Sequence, residues 1–322
     1  MTRNNELGAK VANFLKQIKN RRLLIQTHDI PDPDALASAE TLRVIAREFG
    51  INARIYAHGF PHRRENKALM KECKITLRHI RSVVIKNPSR YAWAFIDCLP
   101  GGGNVTLHPS APGDVFLAID HHVTTKVSSR LAGKGVYIRY PSAGATASIL
   151  GRILLELGIS YPPRLASALS FAIITDTQDF SRVGTKDDLD VYSALFPMTN
   201  QKIISRLRNV SKPRSYFSTV HKSLANAGFY RYVSWVFIGE VESGEIVAEM
   251  ADSILSCERI TWSLALGYNS DRLYMSLRSV KAKARCGKII NKLAGKGVYI
   301  RYPSAGATAS ILGRILLELG IS

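Results

Sequence analysis

Cysteine is scarce in this 322-residue chain. The four that occur, Cys73, Cys98, Cys257 and Cys286, lie far apart and form no C-x-x-C pair. That sets aside a disulfide framework and reads as reduced, mostly buried thiols of a cytoplasmic protein. Long apolar runs are missing too. None reaches the ~18 residues of a membrane span, so no membrane partner is expected. The opening residues, Met1-Thr2-Arg3-Asn4-Asn5-Glu6, hold no apolar leader core. Acidic residues are in short supply: 25 Asp and Glu against 44 Lys and Arg leave a formal net charge of +19. This favours an anionic partner, nucleotide or nucleic acid first, although a generally basic, solvated surface gives the same figure. No Lys/Arg block is long enough to act as a tail. Arg21-Arg22, Arg63-Arg64 and the series Lys281, Lys283, Arg285, Lys288 are the densest spots.

What is present is an alternation of apolar strands with helical spacing. The pattern predicts a helix over 7–20, a strand at Leu23-Leu24-Ile25, a helix from Ala35 to about Phe49 and a strand over 51–57. Residues 61–90 are charged and mixed, with helical spacing. Strands are expected at 92–96, 115–119 and 135–140, and helices at 145–157 and 162–175. Such alternation argues for a parallel sheet. Further helices fill 185–226. Beyond them a smaller α/β unit carries strands at 235–241, 262–268 and 272–278, with one helix over 244–255 and another near Lys288. The expected fold class is α/β: a parallel-sheet catalytic domain with flanking helices, plus a smaller α/β substrate-binding domain.

The first strand runs into His28-Asp29-Ile30-Pro31-Asp32-Pro33-Asp34-Ala35. One His and two Asp thus sit where a strand stops and a helix starts, the edge of an open α/β sheet that binds ligands. Asp and Pro are also ordinary turn residues. Asp97, Asp120-His121-His122 and Asp176 each end a further apolar segment. One such Asp is usually a cap. Four segments that supply carboxylates and imidazoles to one edge are harder to explain that way. Two unit charges ~4 Å apart cost ~4 kcal/mol at an effective dielectric of ~20, and bound cations remove that cost. Mixed carboxylate and imidazole donors suit Mn²⁺ best, with Mg²⁺, Co²⁺ or Zn²⁺ as alternatives. The donors are enough for two ions, a recurrent device for hydrolysing phosphate esters.

His28-x-x-Pro31-Asp32-x-Asp34-Ala35-x-x-Ser38, Asp97, Asp120-His121-His122 and Thr175-Asp176-Thr177 resemble, in order, the four motifs of the DHH phosphoesterase superfamily. The resemblance covers residues 7 to about 291, with Ser276-Leu277-Arg278-Ser279 resembling the recognisable strand of the DHH-associated domain. It implies one metal on His28, Asp32 and Asp97, and a second on Asp34, Asp97, His121 and Asp176, with Asp97 bridging. It implies that Asp120 orients a neighbouring histidine, and that His122 contacts the scissile phosphate or helps to protonate the leaving oxygen. Arg278 and Ser276 would hold substrate. The implied domains are 1–195 (catalytic), 196–212 (linker) and 213–292 (substrate-binding, truncated). Two departures stand out. Gln178-Asp179 follows Asp176-Thr177 where the family usually has Gly, and no glycine-rich segment with a histidine follows Arg278.

In place of that segment, residues 293–322 repeat 131–160 residue for residue. Natural repeats drift, so the copy reads as a recombination, cloning or assembly join with the authentic end lost. The second copy could dock on the small domain, exchange into another chain's sheet in a homodimer, or stay exposed. An amphipathic helix loosely attached to the small domain is expected.

The reading is a metal-dependent phosphohydrolase with two Mn²⁺ per site. Its substrate would be short RNA or DNA, or a small nucleotide such as 3′-phosphoadenosine 5′-phosphate, in an interdomain cleft. The alternatives are a RecJ-like single-strand exonuclease, an inorganic pyrophosphatase, and a catalytically impaired nucleic-acid-binding protein.

Overall fold

The computed structural model describes residues 6–61, 63–113, 115–122, 135–140, 142–181, 184–242, 244–270, 272–281, 284, 286, 289 and 290. The repeat at 293–322 and Lys288 lie outside the described residues. The chain divides into two compact units, 1–210 and 211–322.

The first unit is built on a six-stranded sheet. Its strands are β1 (Arg22–Gln26), β2 (Ala53–Ala57), β3 (Leu77–His79), β4 (Tyr91–Ile96), β5 (Phe116–Asp120) and β6 (Val136–Arg139). They lie in the order β3-β2-β1-β4-β5-β6, and every described pairing is parallel. The order reverses between β1 and β4. In doubly wound sheets the crevice at such a reversal, beyond the carboxyl ends of the strands, is where ligands bind.

Both sheet faces are apolar, which explains why the central strands read as unbroken apolar runs. Leu23, Ile25, Ala94, Ile96, Leu117 and Ile119 face one core. That core is completed by α1 (Glu6–Gln17), α2 (Pro33–Glu48), α4 (Thr146–Glu156) and α5 (Pro163–Asp176). Leu24, Trp93, Phe95, Phe116 and Ala118 face the other core, closed by Ile80, Val83, Leu99 and Leu107 from short turns and loops. Three further helices complete the unit: α3 (Arg64–Cys73), α6 (Lys186–Leu195) and α7 (Gln201–Arg208). The stretch expected to be linker thus includes α7, whose Leu207 is buried in the first core.

The second unit holds α8 (Arg214–Ala225), β7 (Gly228–Tyr230), β8 (Val233–Glu240), α9 (Gly244–Leu255), β9 (Trp262–Asn269) and β10 (Arg272–Ser279). Its sheet order is β10-β9-β8-β7, with β8 and β9 parallel and the other pairs antiparallel. Among the four cysteines only Cys73 and Cys98 are buried. Cys257 is exposed and Cys286 intermediate, so the expectation of mostly buried thiols holds for half of them.

Candidate active site at the carboxyl edge of the sheet

Each motif enters the crevice from a strand or helix end. The chain leaves β1 at His28. Asp32 then caps α2: its side chain accepts the Ala35 amide at 3.0 Å, and Pro33 occupies the first turn. Asp34 lies one step into the helix, fully buried. Within its own helix it accepts only the Ser38 hydroxyl, at 3.4 Å. Its two oxygens accept the Thr146 and Ala147 amides at 2.8 and 2.6 Å. The cap position of α4 is Ala145, which has no side-chain acceptor. Asp34 therefore caps α4 from a different element.

Asp97 follows β4 in a left-handed backbone conformation, φ 58°. Such a conformation costs a non-glycine residue about 1–2 kcal/mol and persists where the surroundings over-determine it. Its amide donates to Ile119 O at 2.9 Å, and its Oδ1 accepts the Thr146 hydroxyl at 2.8 Å. Asp120 ends β5. Its Oδ1 accepts the His122 amide at 3.1 Å and pairs with His122 Nδ1 at 2.8 Å. His121 turns the other way: Nδ1 contacts Ala143 O at 3.3 Å, which leaves Nε2 to face the carboxylates. The loop that carries Ala143 is itself held. Both oxygens of buried Asp188 accept the Gly144 amide at 2.9–3.0 Å, and Asp188 also completes the capping box of α6 with Thr185.

The ligand atoms converge. His28 Nε2 lies 3.7 Å from Asp32 Oδ1 and 3.6 Å from Asp97 Oδ2. His121 Nε2 lies 3.9 Å from Asp34 Oδ2, 3.7 Å from Asp97 Oδ1 and 3.5 Å from Asp176 Oδ2. His122 Nδ1 is 3.6 Å from Asp97 Oδ1. Three overlapping triads result: His28-Asp32-Asp97, Asp34-His121-Asp176 and Asp97-His121-His122. Within each, the donor atoms all lie within 4.8 Å of one another.

Electrostatics follow from this crowding. Burial, then the charges of Asp176 and Asp32, raise Asp34 well above the ordinary carboxylate value. Burial, then Asp34 and Asp32, do the same to Asp97. Burial is also the largest influence on Asp32 and Asp120 and pushes them up, but the bond and charge of His28 with the Ala35 and Asp34 amides, and the bonds to His122 with the charges of both histidines, together outweigh it and leave both lowered. Burial, then the His122 charge, lowers His121. Its Asp120 partner raises His122 against burial. Two buried carboxyls whose charge is resisted by like-charged neighbours fit a cation, and a mixed oxygen and imidazole donor set fits a first-row divalent ion or Mg²⁺. Cys98, next to Asp97, stays out of that set: burial and then Asp97 push its thiol well up, away from the thiolate a metal would need.

The eight His and Asp residues predicted for the first unit share this one edge. Arg278 and Ser276 lie on β10 in the second unit, where Arg278 Nε pairs with Asp252 Oδ1 of α9 at 2.9 Å. Sequence reasoning missed Thr146, Ala143 and Asp188. The strand-to-helix turn Ser142-Ala143-Gly144-Ala145-Thr146 ends at the same sheet edge, which was the available signal.

No protein-family model matches the chain. An uncharacterized protein of Methanocaldococcus jannaschii is 29% identical over 280 residues, 87% of this chain and 56% of that protein. A probable manganese-dependent inorganic pyrophosphatase of Deinococcus radiodurans is 27% identical over 183 residues, 55% of this chain and 54% of its own length. The chain thus spans about half the length of the curated relatives it matches. Among solved structures, an exopolyphosphatase-related protein from Bacteroides fragilis aligns with a TM-score of 0.78 at 17% identity, over 96% of each chain. Exonuclease RecJ bound to manganese aligns at 0.53 and 13% identity, over 98% of this chain and 94% of that one.

In its four ordered motifs the chain resembles the DHH phosphoesterase superfamily, and it shares the fold of these solved structures. The departure from that motif pattern at Gln178 lies in a left-handed stretch of backbone. Gln178, Asp179 and Phe180 run consecutively at φ 50°, 53° and 63°, the region that glycine enters freely. The Gln178 side chain is exposed, so Gln178→Gly removes a backbone cost without opening a cavity. Set against the extra freedom of glycine in the unfolded chain, a net stabilisation of about 0.5–1 kcal/mol is expected. Thermal melts of the variant check this, with a rise of about 1–4 °C expected. A lowered midpoint would mean that the side chain, and not the backbone, holds this turn.

Proposed function

We propose that the protein is a divalent-metal-dependent phosphohydrolase that cleaves short oligonucleotides or small nucleotides. One observation carries this: buried Asp34 and Asp97, raised by burial and by their acidic neighbours, meet His28, His121, Asp32 and Asp176 at the reversal point of a parallel sheet. The relatives and neighbours support the class, since their names describe a pyrophosphatase, an exopolyphosphatase-related protein and an exonuclease.

On this reading His28, Asp32 and Asp97 would hold one ion, and Asp34, Asp97, His121 and Asp176 a second. Mn²⁺ is the preferred metal. Bound there, such ions supply charge neutralisation and Lewis-acid activation of water for attack on phosphorus. The chain's residues do the rest. Ala143 O fixes the His121 ring so that Nε2 is its free donor, the arrangement that orients metal-binding imidazoles. Thr146 holds one oxygen of Asp97. Asp120 keeps a proton on His122 Nδ1, and the half-exposed His122, 47% open to solvent, can deliver a proton from Nε2 to the leaving oxygen.

The test is Mn²⁺-dependent release of mononucleotide from a 5′-phosphorylated dinucleotide, with inorganic pyrophosphate and 3′-phosphoadenosine 5′-phosphate in parallel. Turnover of a nucleotide substrate that vanishes with chelation is expected. Turnover of pyrophosphate alone would overturn the substrate class, and no turnover of any phosphate would overturn the reaction.

A further inference from the structure

We infer that the ends of β2 and β3 form a stacking ledge for a nucleobase beside the metal cradle, and that Phe60 is its principal contact. The inference rests on the proposed phosphohydrolase reading and says where the base of its nucleotide substrate is held.

The ledge is laced to the first motif. In the sheet β2 lies directly beside β1, in register from Leu23↔Ala53 to Gln26↔Tyr56. Beyond the paired residues the Gly59 amide donates to Asp29 O at 2.7 Å. A Cβ on Gly59 would stand 3.2 Å from that oxygen and 3.5 Å from the Ile30 side chain. Asn66 Nδ2 of α3 donates to Pro31 O at 3.4 Å. The segment that carries Phe60 is therefore fixed against the segment that carries His28 and Asp32.

Its surface chemistry differs from the cradle's. Phe60 and Ile30 are 47% and 48% exposed, two large apolar groups left open beside a polar centre. His79, at the end of β3, brings its ring centroid to 6.2 Å from Phe60 and 5.4 Å from His58. Its Nδ1 accepts the Arg81 amide at 3.1 Å, which sets the ring's orientation. Strand spacing puts the end of β3 roughly 10 Å across the sheet from the end of β1. Arg78 and Arg81, both exposed, neighbour His79 in the chain. An open aromatic ring beside half-buried imidazoles, on a segment bonded to the one that carries His28 and Asp32, suits a π-faced anion. Base–aromatic stacking tolerates any base because every base has a π-face. Inorganic pyrophosphate or polyphosphate has nothing to place there.

The experiment compares Phe60→Ala, Phe60→Trp and the parent chain on a 5′-phosphorylated dinucleotide and on inorganic pyrophosphate. The ratio of kcat/KM for dinucleotide over pyrophosphate should fall about 5- to 100-fold in Phe60→Ala, the range expected for one lost stack. The fall should appear in KM, and Phe60→Trp should restore it. An unchanged ratio with the dinucleotide still cleaved overturns the ledge and leaves the reaction standing. A binding readout covers the case in which no phosphate is cleaved. A dinucleotide carrying 2-aminopurine, titrated into the full-length Asp97→Asn chain, should be quenched with Phe60 and about 5- to 100-fold more weakly without it. Equal affinity for the two, or equal affinity for an abasic dinucleotide, overturns the inference whatever the catalytic result.

Discussion

Asp97→Asn should lower metal-dependent hydrolysis by more than about 100-fold, the upper end of what loss of a mere supporting group costs. The same change should raise the melting temperature of the chelated protein at pH 8. The two effects share a cause. Asp97 lies among the donor atoms of two triads, so its loss strikes both. In the absence of an ion, its charge is held in a buried place that faces Asp34 and Asp32. The amide removes that charge and keeps the shape, and its oxygen can still accept the Thr146 hydroxyl that Asp97 accepts at 2.8 Å. Melting curves with and without chelator, alongside turnover, check both halves. A chelated variant less stable than the chelated parent would mean that Asp97 is a structural residue first.

Chelation should destabilise the parent more at pH 8 than at pH 5. Asp34 and Asp97 are raised above the usual 3.8 in the folded, metal-free protein. For a raised carboxyl, the folded state binds more protons than the unfolded one. Its stabilising contribution is whole below 3.8 and is lost as pH climbs through the raised value. The metal-loaded form moves oppositely, because its ligands must be deprotonated and affinity falls as pH falls. The gap between loaded and chelated midpoints therefore widens upward. Asp32 and Asp120, lowered, lose their contribution only as pH drops below 3.8, outside this window. In the metal-free protein His122, raised from 6.5, loses its contribution as pH rises, while His121, lowered from 6.5, disfavours the folded state only as pH falls, so the two imidazoles oppose one another across this window. Midpoints at pH 5 and 8 decide it: a gap that narrows with pH would contradict the assignment of Asp34 and Asp97 as the crowded pair.

The larger elements were legible because they are long and strongly patterned. Both-face burial turns β1, β4 and β5 into plain apolar runs, and α2 announces itself through Asp32 and Pro33. The strands that escaped notice, β3 and β7, have three residues each and sit at sheet edges, where half the pairing and most of the apolar signal are absent. In the candidate site, carboxylates and imidazoles were visible because polar residues that end apolar segments stand out. Thr146, Ala143 and Asp188 did not, since they act through a hydroxyl, a carbonyl and an amide acceptor. A sequence shows such roles only once the partner is known. Phe60 was hidden for the opposite reason: one aromatic in a mixed stretch carries no period.

Asp34 belongs to two economies at once. It is a donor in one of the metal triads and the cap of α4, and α4 supplies part of the first core. If the proposed activity holds, a lineage relieved of it could discard His28, Asp97 or His121 one at a time and keep its fold, whereas loss of Asp34 would strand two buried amides. Inactive descendants of this architecture should thus retain Asp34 as a vestige after its neighbours have gone. In such a chain a lone surviving aspartate at this position would report ancestry, not activity.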